Sequence, residues 1–167
     1  MDLDTIRLMY GYDRWVTGRL METVEEIPED RLRESFGASF DSVFGTVAHL
    51  LGTQINWLSR WKGGWPTRNI GADDFTSLAE IKERWARHNQ ELDEFIGGLT
   101  PERLNADLTY KNVAGQQFTV PLGQLMLHVV NHGTHHRSEL ADMLTRAGHA
   151  PEPTDLVRYS MEITGQA

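Results

Sequence analysis

Four of the chain's seven histidines fall in one short stretch, HVVNHGTHHRSEL, at positions 128, 132, 135 and 136. Imidazole is the commonest side-chain ligand for metals and titrates near neutral pH, so several stacked rings need a reason to stay neutral. On an α-helix each residue advances by ~100°, and positions i and i+4 share a face. With His128 at zero, His135 falls at about −20°, His132 at about 40° and His136 at about 80°. The aliphatic residues in and around the stretch, among them Leu125, Val129, Leu140 and Met143, centre at about 120°. His132 and His136 are therefore the pair nearest the interior, and His128 and His135 lie toward the flank. Two imidazoles one helical turn apart can chelate one ion, as in the HExxH motif. A catalytic zinc site keeps three protein ligands and one open position. The chain has no cysteine, so every ligand must be nitrogen or oxygen, and thiolate nucleophiles and disulfides are excluded.

The third ligand must come from elsewhere, and His49 is the natural candidate. On the wheel of its own helix it points away from Val43, Val47, Leu50, Leu51 and Leu58, together with Thr46, Thr53, Asn56 and Arg60. Such a polar face borders a cleft or is a wet surface. His88, in the charged run ERWARHNQE, and His149, in a terminal turn, read as solvated.

The elements that must position these groups are helical. Apolar spacing predicts helices over about 4–25, 42–62, 77–96, 121–148 and 154–164. Asp41 or Ser42 caps the second, Ser77 with Glu80 makes a capping box for the third, Pro121 opens the fourth, and Thr154 caps the last. Ile27-Pro28, Gly63-Gly64, Gly97-Gly98 and Gly148 are the stops. PEDRL (28–32) and TPERL (100–104) read as short linker segments. Leu108, Tyr110, Phe118 and Val120, around Ala114-Gly115, suggest a small hairpin before the fourth long helix. The expected class is all-α: an antiparallel four-helix bundle with a short C-terminal helix, in a single domain spanning 1–167.

Composition narrows the partners. Forty per cent apolar residues indicate a globular domain. A net charge of −8 without a Lys/Arg cluster disfavours nucleic acid. No apolar run approaches the ~20 residues of a membrane span. The N-terminus lacks the pattern of a signal peptide, so the expected compartment is the cytoplasm.

The motifs also resemble a known family. YDRWVTGRL (12–20), SFDSVFGTVAHLLGTQINWLSRWKG (39–63), HVVNHGTHHRSEL (128–140) and PTDLVRYSMEI (153–163) are similar to the four signature segments of the DinB/YfiT-like superfamily, closest to the DinB family proper. That resemblance implies an up-down-down-up bundle, commonly a homodimer. It implies a metal triad of one histidine from the second helix and an HxxxH pair from the fourth, which map onto His49, His132 and His136. It also implies Zn²⁺ or Ni²⁺ as the ion and, in related branches, transferases or isomerases that use a low-molecular-weight thiol. The family often carries Arg-Gly-Gln after the last ligand, where this chain has Arg137-Ser138-Glu139.

Glu139, at about 20° on the wheel, is the candidate catalytic residue. It would orient a ligand histidine, accept a proton, or bind the ion; a solvated carboxylate offsetting the histidines is the equal alternative. Arg137, at about 180°, faces aliphatic neighbours and is expected to pair with Asp155 or an acid of the first helix. Trp57, Trp61, Trp65 and Tyr110 are candidates to line an aromatic pocket, with ordinary packing expected for at least half of them.

The functional expectation is a divalent-metal-dependent enzyme acting on a small molecule, a hydrolase or a thiol-dependent S-transferase. The competing reading is a non-catalytic metal-binding stress-response or scaffold protein.

Overall fold

The computed structural model describes residues 1–166. The elements run α1 (Leu3–Glu25), α2 (Val43–Trp61), α3 (Leu78–Gly97), α4 (Pro101–Asn105), β1 (Asp107–Lys111), β2 (Gln117–Pro121), α5 (Leu122–Arg146) and α6 (Leu156–Ile163), with single 3₁₀ turns at Glu29–Arg31 and Ala72–Asp74. The chain is mostly helical.

The all-α expectation needs correction at residues 107–121. There the alternation of Leu108, Tyr110, Phe118 and Val120 produces an antiparallel pair, with Tyr110 opposite Phe118 and Leu108 opposite Val120. The connection turns at Asn112, whose carbonyl accepts from the Gly115 amide, and Gly115 takes a φ of 80° that suits glycine.

Helix boundaries follow local chemistry. Asp2 caps α1 by accepting from the Thr5 amide at 2.7 Å. Of the two candidate caps for α2, Ser42 does the work, accepting from the Gly45 amide at 3.0 Å. Ser77 accepts from Glu80 N at 3.2 Å, but the Glu80 carboxylate reaches Thr76 N, at 2.7 Å, one residue earlier than a capping box requires. Pro121 is the last residue of β2, so α5 begins one residue later. Gly148 ends α5 in the left-handed region, its amide bonding to Thr145 O while the His149 amide bonds to Leu144 O. The last helix begins at Leu156 with Asp155, not Thr154, at its N-cap position, and the Thr154 carbonyl accepts from the Tyr12 hydroxyl at 2.9 Å.

Helix α5 packs against both α1 and α2, α2 packs against α3, and α6 lies on α1. The core collects the aliphatic stripes of these helices, including Ile6, Leu20, Leu51, Ile81, Met126 and Leu140, all almost fully buried. Within it runs a polar line that joins all four long helices. Arg137 of α5 donates to Asp13 Oδ1 of α1. Gln54 Nε2 of α2 donates to Asp13 Oδ2 at 2.7 Å. His88 Nε2 of α3 lies 3.1 Å from Gln54 Oε1. Asp13, Gln54, His88 and Arg137 are all buried. Arg137 thus finds its acid on the first helix, not in Asp155. Buried charges survive only when paired and hydrogen-bonded, and here the pair ties α5 to α1 one residue beyond His136.

His88 does not behave as expected. It is buried, at 1% exposure, rather than solvated. It occupies the place an aliphatic residue would take in the stripe Ile81, Trp85, Leu92, Ile96. His149 is half-buried against Glu26 Oε2 at 3.2 Å.

Candidate metal centre

The contact of α2 with α5 brings His49, His132 and His136 together. Each offers one ring nitrogen, and these atoms lie within 4.8 Å of one another. His49 Nε2 and His132 Nε2 are 3.0 Å apart. Two nitrogens bound at ~2.0–2.1 Å to one tetrahedral ion stand about 3.3 Å apart, so the separation suits a shared ligand. The rings of His132 and His136 are 4.4 Å apart, and those of His49 and His136 are 4.6 Å apart.

The wet-surface alternative for His49 is overturned. Its companions Thr46, Asn56 and Arg60 are buried, and His49 itself is only partly exposed. The polar face of α2 meets α5 through Thr46 and His49, the loop after α2 through Asn56, and the hairpin through Arg60. Phe40 covers His49 as a stacked ring, 3.6 Å between centroids, and meets His136 edge-on at 5.1 Å. Thr53 Oγ1 lies 3.3 Å from His49 Nε2.

Burial lowers the pKa of His49 to about 4, with His136 and His132 adding repulsion that the Glu139 carboxylate partly offsets. Burial also lowers His132 to about 4, helped by His136, His128 and His135. Both rings are therefore neutral at pH 7, the form that binds a metal.

Glu139 supports the third ring. Its Oε2 lies 2.7 Å from His136 Nδ1, and its Oε1 accepts from Ser39 Oγ at 2.6 Å. Burial pushes this carboxyl up, but the hydrogen bonds from Ser39 and His136 outweigh it and hold Glu139 below its ordinary value. A carboxylate at that distance accepts from an Nδ1–H, an arrangement that directs the Nε2 edge of His136 toward a ligand. A second grouping, His135 with His136 and Glu139, shares these atoms, but His135 is exposed, with Nε2 3.6 Å from Glu139 Oε1. His128 is also exposed, its ring 6.0 Å from that of His132. A set of two neutral imidazoles and a third oriented by a carboxylate suits a borderline-soft divalent ion.

The four aromatic candidates divide. Trp61 is core, between Tyr10 and Phe95. Trp65 is exposed, with Lys111 Nζ 4.7 Å from its ring. The Trp57 and Tyr110 rings meet at a tilt, 5.1 Å between centroids, and Trp57 reaches His128 edge-on at 5.4 Å.

A model of the DinB family matches residues 1–166. The chain belongs to the DinB family. This DinB-family chain is also similar to Protein DinB of Bacillus subtilis (strain 168), at 26% identity over 162 residues, covering 90% of this chain and 91% of that protein.

For a DinB-family chain, Ser39 and Phe40 are the contributions that residue-type reasoning passed over. They sit in the loop before α2, and only folding lays that loop over the triad. Their sole sequence signal is their place at the start of the segment SFDSVFGTVAHLLGTQINWLSRWKG (39–63), one of those that resemble the family. Among the described residues, no helix is long and apolar enough to cross a membrane.

Proposed function

We propose that this DinB-family chain is a divalent-metal-dependent enzyme whose ion, Zn²⁺ or Ni²⁺, is held by His49, His132 and His136. The observation that carries the reading is the convergence of the three ring nitrogens within 4.8 Å, with Glu139 Oε2 2.7 Å from His136 Nδ1. In this reading one domain holds the site, the four long helices form an up-down-down-up bundle, and the chain works as a homodimer on a small molecule. A bound divalent ion supplies Lewis-acid activation of an oxygen or sulfur donor, which serves a hydrolase or a thiol-dependent S-transferase alike.

The chain's own residues have separate tasks. His49 and His132 present neutral nitrogens because burial keeps protons off them. Glu139 Oε2 holds the His136 Nδ1 proton, and Ser39 holds Glu139 Oε1. With both carboxylate oxygens engaged, Glu139 is a positioning residue rather than a free proton acceptor. This favours the first of the three roles considered for it. Phe40 excludes water from one face of His49.

The test is metal analysis of the purified protein. One equivalent of zinc or nickel is expected in the wild type and none in His49→Ala or His132→Ala. Retention of wild-type stoichiometry by both variants would sink the triad. A metal-loaded protein that turns over neither esters nor thiol-transfer substrates, and whose ion has no exchangeable water, would favour the non-catalytic reading.

A further inference from the structure

Arg60 is buried without an acid. It is 7% exposed, and the hydrogen bond it makes is from Nε–H to the Lys111 carbonyl at 3.3 Å. Its guanidinium lies 4.7 Å from the centre of the Trp57 ring. Among the described residues no carboxylate forms an ion pair with it, and the neighbour opposing the effect of burial on its charge is the Tyr110 phenol. The contrast with Arg137, equally buried but paired with Asp13, is direct. A buried guanidinium remains charged and calls for an anion.

Arg60 also shares a helix face with the triad. His49, Thr53, Asn56 and Arg60 lie 4, 7 and 11 residues apart from the first, so Arg60 sits about 16 Å further along the axis of α2. Rings fill the interval. His132 is 6.0 Å from His128, and His128 is 5.4 Å from Trp57, which touches both Tyr110 and the Arg60 guanidinium. Tyr110 stacks on its cross-strand partner Phe118 at 5.7 Å. The row is open on its outer side: His128 and Phe118 are exposed, and Trp57 and Tyr110 are half-buried. Lys111, also without a carboxylate partner among the described residues, has its Nζ 4.7 Å from the exposed Trp65 ring. In a chain of net charge −8, Arg60 brings to this aromatic row a buried cation that has no carboxylate partner among the described residues.

We propose that Trp57, Tyr110, His128 and Arg60 extend the three-histidine site into a binding shelf for an organic carboxylate, whose flat or apolar body lies on the rings and whose carboxylate is held by Arg60. The placement of the reacting end at the triad rests on the metal reading above; the Arg60 contact does not. The two Nη groups, left over after Nε bonds Lys111, grip the carboxylate end-on. Trp57 carries the guanidinium on one side and the ligand's body on the other.

The experiment titrates benzoate, with benzyl alcohol as the neutral comparator, into zinc-loaded and zinc-free protein. Binding is followed by the indole N–H resonance of Trp57, assigned with Trp57→Phe. Saturable benzoate binding is expected in both forms, with benzyl alcohol at least about ten-fold weaker. Arg60→Met should weaken benzoate by at least about ten-fold in the zinc-free protein while keeping the wild-type zinc stoichiometry, and Arg60→Lys should fall between. If Arg60→Met does not fold, Arg60→Lys and Arg60→Gln carry the same comparison. Equal binding of benzoate and benzyl alcohol, unchanged binding in the Arg60 variants, or no binding by the wild type would each overturn the proposal. Arg60-dependent binding in a chain that takes up no zinc would sink the metal reading alone. One zinc with no dependence on Arg60 would sink the shelf alone.

Discussion

Glu139 Oε2 lies 2.7 Å from His136 Nδ1, three residues back on the same helix, and Ser39 from a distant loop holds the other carboxylate oxygen at 2.6 Å. An anionic partner makes His136 a better nitrogen donor and fixes its ring. Glu139→Gln keeps the size and an accepting oxygen but removes the charge. It should weaken zinc binding by about 10–100-fold in a chelator competition. The metal-free protein's stability should move little, because the site is partly open. An unchanged zinc affinity would show that the carboxylate does not support the ligand.

Metal binding should appear as stability. An ion that binds the native state alone adds about 2.7 kcal/mol at a hundred-fold excess over Kd. Thermal melts of the wild type should shift upward by several degrees with zinc and return with a chelator. His49→Ala should show no shift. Equal shifts in both proteins would place the zinc elsewhere.

Removing one partner of a buried ion pair costs about 3–5 kcal/mol, because the other charge stays behind. Arg137→Met and Asp13→Leu should each be destabilising on that scale in urea unfolding. The double variant should recover much of the loss. Additive losses would mean that the two side chains do not act as a pair.

Gly133 permits that pair. A Cβ placed there would lie 2.6 Å from Arg137 Nη1 and 3.1 Å from Asp13 Oδ1. Gly133→Ala gains helix propensity of up to about 1 kcal/mol, yet it must displace the buried guanidinium. A net loss of stability is expected, removed when Gly133→Ala is combined with Arg137→Met and Asp13→Leu. A stabilised Gly133→Ala single variant would contradict the packing.

His88 should make folding acid-sensitive. Burial first, and the Arg84 cation second, lower its pKa from 6.5 to about 4 in the folded chain. Between those values the unfolded chain takes up a proton that the native state refuses. Its contribution is therefore complete above pH 6.5 and is lost as pH falls through about 4. The lost contribution is about 2–3 kcal/mol. In metal-free protein, the wild type should lose that much more stability than His88→Gln between pH 7 and 4.5. Parallel curves for the two proteins would show that His88 charges freely in the fold.

Much of this was written locally. The spacing of His132 and His136 gave a shared face because helix geometry is a property of the backbone. Caps at Ser42 and Ser77 and stops at glycine were legible for the same reason. The hairpin showed itself as a change of period. His49 entered as the natural candidate, but its own wheel left a wet surface open, and the resemblance of the chain to a family supported the ligand reading.

What tertiary structure alone decided lies between elements. The buried faces of three helices carry polar residues among their apolar ones, Asp13, Gln54 and His88 among them, and each in isolation looks like a blemish on its helix. Packing converts them into one line of hydrogen bonds ending at Arg137. Likewise, nothing local says that Phe40 lies on His49 or that Ser39 reaches Glu139. A periodic pattern encodes which side of a helix is dry, because burial averages over many neighbours. It does not encode which particular polar group meets which other, because that depends on the separations and crossings of helices far apart in the chain.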